Sequence, residues 1–313
     1  MRIVFAGTPS AAVPSLQAIA ASPHEVVGVV TRRDAPVGRK RVMTPSPVAA
    51  AAGERDIPVI KADRLDAEAT AAIGRLAPDL GVIVAFGGLV REPLLSTPAH
   101  GWINLHFSLL PRWRGAAPVQ RALIAGDRTT GAAVFQLVPE LDAGDVFGQV
   151  PYDIPRGETA GDVLQKLADA GAGLLAEVID AIAAGSAVAV PQSGQPTTAP
   201  KLTLSDGRLD PLAPVDAVIN RYRGTTPEPG AHVVVNGQRL KVLSAVRGPD
   251  APLPPGRISL VGADVLLGAD GGTVRLGRVQ PAGKAAMSAA DWWRGLRVAS
   301  LQVDTVDEGM DRP

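Results

Sequence analysis

Through its first 190 residues, the chain alternates short apolar runs with segments of helical periodicity. Short apolar runs bounded by turn residues are typical of buried strands, and apolar positions three or four residues apart are typical of amphipathic helices. The predicted strands are Arg2–Ala6, His24–Thr31, Ile57–Ile60, Leu80–Phe86, Trp102–His106, Ala132–Val138 and Phe147–Ile154. Helices are predicted near Ala11–Ala21, Val48–Glu54, Asp66–Leu76, Ala117–Ala125 and Thr159–Gly185. Strands separated by single helices predict an α/β fold with a Rossmann-like parallel sheet.

The pattern changes after the stretch Pro191–Pro200, whose Gly, Pro, Ser and Thr content predicts a loop. Beyond it, the dipeptide Asn236-Gly237 lies between two apolar runs and is a strong hairpin signal. A second hairpin, a short helix at Val215–Tyr222 and a terminal helix at Ala289–Arg297 complete a predicted small β-barrel of the OB type. The expected divisions are therefore a first domain at 1–190, a linker at 191–206, the OB-like barrel at 207–303 and an acidic, disordered tail at 304–313.

Composition narrows the chemistry that is open to the chain. None of the 313 residues is cysteine, which excludes disulfides, thiolate nucleophiles and iron–sulfur clusters. The four histidines do not follow metal-ligand spacing, so we expect no metal. The sequence contains no apolar run long enough to cross a membrane, and its start reads as a strand and not as a signal peptide. We expect a soluble, cytoplasmic and monomeric protein.

The formal net charge is zero, but the charge is unevenly distributed. Residues 207–303 contain 12 Lys or Arg against 7 Asp or Glu, and the loop at residues 32–41 contains five basic side chains and one acid. Local basic patches matter more than the overall isoelectric point for binding a phosphate backbone. A solvated charged surface would explain the same residues equally well.

One segment, residues 104–118, carries most of the candidate chemistry. Because side chains alternate along a strand, Asn104 and His106 should project from the same face where a strand meets its loop. In an open α/β sheet, that edge is the usual ligand crevice. An amide donor beside a titratable base is suited to acyl transfer.

The motif N-x-H-x-S-L-L-P-x-x-R-G-x-x-P at Asn104–Pro118 resembles the formyltransferases that use 10-formyltetrahydrofolate. The resemblance runs almost from end to end, and its other motifs are FAGTP at Phe5–Pro9, the segment Gly38–Pro47, LDAGD at Leu141–Asp145 and QPAGKAAMSA at Gln280–Ala289. The loop before Pro45 and the late QPAGK segment favour the members of this family that act on initiator methionyl-tRNA.

The resemblance implies formyl transfer through a tetrahedral intermediate, in support of translation initiation, without a metal. By matching motif positions, it implies three catalytic residues, Asn104, His106 and Asp142, with Asp145 as a rival carboxylate. It implies that 10-formyltetrahydrofolate is the co-substrate and that backbone groups contact it at Phe86, Ser108, Leu109, Leu110 and Pro111. Each of these five residues could instead be purely structural.

The same resemblance implies that the acceptor stem of the tRNA is contacted by Arg39, Lys40, Arg41 and Lys284. The chain departs from the family pattern at Val42, where the family often has a second lysine, at Asp210-Pro211, and in two further places. Lys40 stands where the family often has glycine, and Arg223–Pro229 lacks an aromatic stretch that relatives carry.

Other interpretations remain open from the residues alone. A folate-dependent formyltransferase that acts on glycinamide ribonucleotide or on an amino sugar nucleotide would share the Asn–His–Asp set. A non-catalytic nucleic-acid-binding protein would need no such set. A nucleotide-dependent oxidoreductase is disfavoured because Gly7 is not followed by the remaining glycines of a dinucleotide fingerprint.

Overall fold

A computed structural model describes residues 1–38 and 41–304. The chain forms two compact units. The first, here called the N-terminal unit, consists of Met1–Pro118, Thr129–Asp153 and Leu164–Pro200. The second, here called the C-terminal unit, consists of Val119–Arg128, Ile154–Val163 and the chain from Lys201 onward.

The helices and strands are numbered in chain order. The strands of the first 200 residues are β1 Arg2–Gly7, β2 Glu25–Thr31, β3 Ala35–Val37, β4 Val42–Thr44, β5 Val59–Lys61, β6 Leu80–Val84, β7 Trp102–His106, β8 Thr129–Gln136 and β9 Val146–Asp153. The helices of this part are α1 Val13–Ala20, α2 Pro47–Gly53, α3 Ala67–Arg75, α4 Pro118–Ala125 and α5 Ala160–Ala183. The later elements are α6 Val215–Gly224, β10 His232–Val235, β11 Gln238–Arg247, β12 Arg257–Val261, β13 Asp264–Ala269, β14 Gly272–Pro281, β15 Met287–Ser288, α7 Ala289–Leu296 and β16 Leu301–Gln302.

The N-terminal unit is built on a seven-stranded sheet in the order β5-β2-β1-β6-β7-β8-β9. The strands from β5 to β7 are parallel, and β8 and β9 are antiparallel additions at one edge. All five residues of β6 are buried, as expected for a central parallel strand that is covered on both faces. The prediction of a Rossmann-like parallel sheet is confirmed.

Local signals explain where several helices begin. The Asp66 side chain accepts a hydrogen bond from the Ala69 amide at 3.0 Å, and Ser46 caps α2 in the same way. At the start of α5, Thr159 and Asp162 exchange hydrogen bonds as a capping box. These caps satisfy amides that the first helical turn leaves without partners.

Two segments that were predicted to be loops have more structure than their composition indicates. Strand β3, within the basic loop, pairs with β4, which follows that loop, in a small antiparallel ladder. The predicted linker makes a parallel bridge between Thr198 and Arg114, and Val190 just before it makes an antiparallel bridge with Val146. Composition missed both features because they depend on pairing with a partner strand.

The C-terminal unit contains an antiparallel sheet in the order β10-β11-β14-β13-β12-β16, with β15 paired to β14. Inward residues of these strands and helices α6 and α7 form one core, which includes Trp292, Trp293 and Tyr222. The sheet is a nearly closed barrel, and the prediction of a small β-barrel is confirmed in this form.

The end of the described chain is hydrogen-bonded to the first hairpin of the barrel. The Asp304 amide donates to the Val234 carbonyl, and its carboxylate accepts from the amides of Asn236 and Gly237 at 3.2 and 2.7 Å. Asp304 was predicted to begin a disordered tail, but it is bonded to the first barrel hairpin. The remainder of that predicted tail, 305–313, lies outside the described residues.

Candidate active site

Strand β7 brings the candidate amide and imidazole to the carboxyl-terminal edge of the sheet. It lies between the parallel β6 and the antiparallel β8, with Asn104 opposite Ile83 and Phe135. Asn104 is partly exposed, and no described residue makes a hydrogen bond with its carboxamide. The Phe135 ring packs edge-on against the His106 ring at 6.4 Å between centroids. Since it has no hydrogen-bond partner within residues 1–38 and 41–304, this amide is available to a ligand at this edge.

The contacts of His106 indicate which ring nitrogen carries a hydrogen. Its Nε2 lies 2.9 Å from the Trp113 carbonyl oxygen. A carbonyl can only accept a hydrogen bond, so Nε2 is the protonated nitrogen of the neutral ring. The Nδ1 lone pair then faces Asp142, whose Oδ2 is 3.8 Å away. His106 thus presents a free basic nitrogen beside a carboxylate.

Burial controls the charge of this imidazole. Only 6% of His106 is exposed, and loss of water lowers its pKa below the ordinary value of 6.5. The Asp142 carboxylate and the Trp113 carbonyl raise the pKa, but their effects are smaller. The ring is therefore neutral near pH 7 and can accept a proton at Nδ1.

Asp142 is held in an unusual backbone conformation. Its φ angle is 47°, in the left-handed region that residues other than glycine rarely adopt, and it is buried. Its Oδ2 accepts a hydrogen bond from the Gly115 amide at 2.7 Å. Gly115 itself has φ 124°, and a Cβ there would lie 2.7 Å from the Ala199 carbonyl oxygen. Glycine is therefore required at position 115 for this amide to reach the carboxylate.

Asp145, the rival carboxylate, has a different environment. Its side chain is exposed and makes no hydrogen bond or ion pair with the residues that the structure describes. Its backbone carbonyl accepts from the Gln136 amide at 2.8 Å. Of the two acids, only Asp142 faces His106.

The residues predicted to contact a folate use most of their side chains for packing. Phe86 is buried in a core cluster with Trp102, and the Ser108 hydroxyl donates to the Arg112 carbonyl at 2.6 Å. Leu110 is buried against the Phe135 cluster, Leu109 is partly buried, and Pro111 follows a cis peptide bond. The groups that these residues can offer to a ligand are therefore mainly backbone groups.

A cavity of about 400 Å³ adjoins the loop that carries Asp142. Its lining includes Gln136, Val138, Gly144 and Phe147. Asn104, His106 and Asp142 do not line it, so the cavity is next to the polar cluster and does not contain it.

The residues predicted to contact tRNA are only partly described. Arg39 and Lys40 lie outside the described residues. Arg41 is exposed in the turn immediately before β4, with φ 49°. Lys284 is exposed in the turn after β14, where its carbonyl accepts from the Gln280 side chain.

Across residues 1–38 and 41–304, no three His, Asp or Glu side chains come together in a group that could hold a metal ion. In the same part of the chain, no helix is both long and apolar enough to span a bilayer.

Two participants in the site were missed by sequence reasoning. The Trp113 carbonyl determines which ring nitrogen of His106 is protonated. The Gln192 side chain donates a hydrogen bond to the Asp142 carbonyl. A backbone carbonyl leaves no sequence signal, and Gln192 lies in a stretch whose composition indicated only a linker.

Comparison with known proteins decides the family. A family model described as formyl transferase matches residues 1–179, and one described as formyl transferase, C-terminal domain, matches residues 201–297. The chain belongs to the formyl transferase family. It is therefore an enzyme of the group-transfer class, and the resemblance inferred from the motifs is confirmed.

Members of the formyl transferase family match almost the whole chain. The methionyl-tRNA formyltransferase of Clavibacter sepedonicus is 61% identical over 297 residues, which cover 95% of this chain and 97% of the relative. That of Leifsonia xyli is 59% identical over 295 residues, covering 94% and 97%. A solved N-formyltransferase from Helicobacter canadensis, in complex with folinic acid and dTDP-3-aminofucose, has a TM-score of 0.67 at 16% identity and covers 89% of this chain and 98% of its own. That last likeness shows the shared fold.

Proposed function

We propose that this chain transfers the formyl group of 10-formyltetrahydrofolate to the α-amino group of initiator methionyl-tRNA. Two relatives above 55% identity carry the name methionyl-tRNA formyltransferase over nearly their full length. The observation that carries the proposal is the approach of His106 and Asp142 to 3.8 Å at the sheet edge where no described residue is hydrogen-bonded to the Asn104 carboxamide. Folate derivatives are named with family structures that share the fold, which supports a folate co-substrate.

The donor set fits the chemistry of formyl transfer. The attacking α-amine has an ordinary pKa of about 7.7–8, so about 10–20% of it is already neutral at pH 7 and no strong base is needed to deprotonate it. In our proposal, the Asn104 amide donates a hydrogen bond to the formyl oxygen and stabilises it as negative charge develops. Because none of the residues that the structure describes is hydrogen-bonded to this amide, no bond to them has to break first.

In this proposal, His106 accepts the proton of the attacking amine, and Asp142 stabilises the charged ring that results. As the amine attacks the formyl carbon, His106 Nδ1 accepts the proton that the amine loses. The resulting imidazolium is stabilised on both sides, by the Trp113 carbonyl at Nε2 and by the Asp142 carboxylate near Nδ1. The same proton then passes to the folate nitrogen as its bond to the formyl carbon breaks, so no net proton is gained or lost.

For the folate, the proposed contacts are at Phe86, Ser108, Leu109, Leu110 and Pro111. Since the side chains of Phe86, Ser108 and Leu110 are engaged in packing, we propose that the backbone groups of this region bind the folate. The hydroxyl of Ser108 has a structural role in the turn and would matter indirectly.

The C-terminal part is proposed to bind the tRNA. We retain the division into a catalytic domain at 1–190, a linker at 191–206 and a tRNA-binding barrel at 207–303. The alternation along β14 buries Val274 and Leu276 and leaves Arg275 and Arg278 exposed. Exposed basic side chains on a strand suit a phosphate backbone, whose contacts make affinity fall with salt. Arg39, Lys40, Arg41 and Lys284 are the proposed contacts to the acceptor stem.

The experiment that tests the function supplies purified protein with radiolabelled 10-formyltetrahydrofolate and one acceptor at a time. The acceptors are charged initiator methionyl-tRNA, glycinamide ribonucleotide and a dTDP-amino sugar. We expect label only on the methionyl α-amine. Transfer to either small acceptor, with none to the tRNA, would overturn the assignment.

The roles of the residues are tested separately. Asn104→Ala should lower kcat by about 100- to 1,000-fold, the size typical for loss of one oxyanion donor. Asn104→Asp, which keeps the shape but loses the donor, should be no better. Wild-type kcat in either variant would contradict the role of Asn104. For tRNA, Arg39→Ala should raise KM for the tRNA with KM for folate unchanged, and an equal rise in both would contradict that contact.

A further inference from the structure

The segment 190–199 is tied to both loops of the candidate site. Val190 pairs with Val146, just after the Asp142 loop, and Thr198 pairs with Arg114, in the loop after β7. The Thr197 hydroxyl accepts from the Trp113 amide at 2.9 Å. The Ala199 amide donates to the Arg114 carbonyl at 2.7 Å. This segment therefore fixes the two loops that face each other across His106 and Asp142.

Gln192 makes the central connection. Its Nε2 donates to the carbonyls of Asp142 and Gly144, each at 2.8 Å. Its Oε1 accepts from Nε and Nη2 of Arg114, at 3.2 and 2.6 Å. A guanidinium can only donate and a carbonyl can only accept, so only one orientation of the amide satisfies all four contacts.

We infer that Gln192, itself oriented by Arg114, is a positioning residue that sets the separation between Asp142 and His106. This inference rests on the proposed function. Asp142 is in the left-handed region, and its side chain receives a separate hydrogen bond from the Gly115 amide. Gln192 holds the backbone of the same loop. The carboxylate is therefore fixed both through its own oxygen, by the Gly115 amide, and through the backbone that carries it, by Gln192. Without Gln192, two carbonyls lose their donor and the loop can relax from its strained conformation.

Three single variants separate the contacts of Gln192. Gln192→Ala removes all of them. Gln192→Glu keeps an acceptor for Arg114 but replaces the donor that serves the Asp142 and Gly144 carbonyls with a carboxylate oxygen. Gln195→Ala is the matched control, because Gln195 is exposed and makes no hydrogen bond within the described part of the chain.

Steady-state kinetics give the first result. Both Gln192 variants should lower kcat between about tenfold and a hundredfold, the range expected when a reacting group moves by about 1 Å. KM for folate and for tRNA should change little, and Gln195→Ala should match wild type. Wild-type kcat in Gln192→Glu would overturn the inference, because that variant retains only the contact with Arg114.

The pH profile distinguishes positioning from general damage. Asp142 raises the pKa of His106, so moving the carboxylate away should shift the titration of the His106 ring, followed by NMR in the free protein, to lower pH. Asp142→Asn should shift it in the same direction. In the Asp142→Asn background, Gln192→Ala should shift it no further and should cost much less in kcat than it does in wild type. Additive effects in this double variant would show that Gln192 does not act through Asp142, and would overturn the inference.

The two proposals fail in different ways. If Asp142→Asn is strongly impaired while Gln192→Ala matches Gln195→Ala, only the positioning role is wrong. If the wild-type protein does not formylate methionyl-tRNA, the proposed function is wrong whatever the Gln192 variants do.

Discussion

Gly144 offers the sharpest test of the geometry around Asp142. A Cβ at this position would lie 1.7 Å from the Gln136 carbonyl oxygen, whereas ordinary contact begins at 3.4 Å. The obstacle is backbone, at the end of β8, and cannot rotate away as a flexible side chain could. Gly144→Ala must therefore move the loop by more than about 1 Å, a displacement that can cost about a hundredfold in rate when it misplaces a reacting group.

The magnitude follows from what the loop carries. Gly144 is two residues beyond Asp142, and its carbonyl accepts from Gln192. We expect kcat of Gly144→Ala to fall by about a hundredfold or more. The strain should lower the free energy of unfolding by about 1–3 kcal/mol, as for other overpacking substitutions. Kinetics of formyl transfer and urea unfolding followed by circular dichroism measure the two effects.

Gly173→Ala is the matched control. Gly173 is exposed within α5, and a Cβ there would meet no atom within 4 Å. Alanine should stabilise the helix by about 0.5–1 kcal/mol and leave kcat unchanged. If Gly144→Ala kept wild-type kcat and wild-type stability, the position of the Asp142 loop described here would be wrong.

Three further predictions follow from named contacts. Because burial lowers the pKa of His106, its ring should titrate with a midpoint below pH 6.5 when it is followed by NMR in the free protein, and this signal should be absent in His106→Ala; a midpoint above 6.5 would contradict this. Gly115→Ala should lower kcat by about tenfold or more, since its Cβ would clash with the Ala199 carbonyl and its amide would leave Asp142; unchanged kinetics would show that the Gly115 amide is dispensable. Asp304→Ala should lower the free energy of unfolding by about 1–2 kcal/mol, because two hydrogen bonds to the exposed turn Asn236-Gly237 are lost, and should leave kcat unaffected. Denaturant unfolding measures the loss of stability, and an unchanged midpoint would refute this prediction.

The pairing of β3 with β4 illustrates one limit of sequence reasoning. The basic segment at residues 32–41 was predicted to be a loop, but β3 lies within it and pairs with β4 in an antiparallel ladder. A three-residue strand has too short an alternation to be recognised by periodicity. The same limit applies to the bridges of Val190 and Thr198, which are single pairs.

The long elements were predictable because their signals are local. The apolar run of β6, the caps Asp66 and Thr159, and the Asn236-Gly237 turn each depend on residues that are close together in sequence. The alternation around β7 likewise predicted that Asn104 and His106 share a face. The family motifs added Asp142 to this pair, but without a physical reason for its proximity.

The sequence by itself determined the order along the chain of the longer strands and helices. It also determined the change to an antiparallel barrel after residue 200 and the strand that carries Asn104 and His106. Only the tertiary structure brought Asp142 within 3.8 Å of His106 and connected Gln192 to the Asp142 loop by a hydrogen bond. It also decided that Nε2 is the protonated nitrogen of His106, because Nε2 faces the Trp113 carbonyl. The physical reason is separation along the chain: periodicity and capping act within a few turns or pairs of residues. Contacts between residues tens of positions apart depend on which strands become neighbours and where their connecting loops meet.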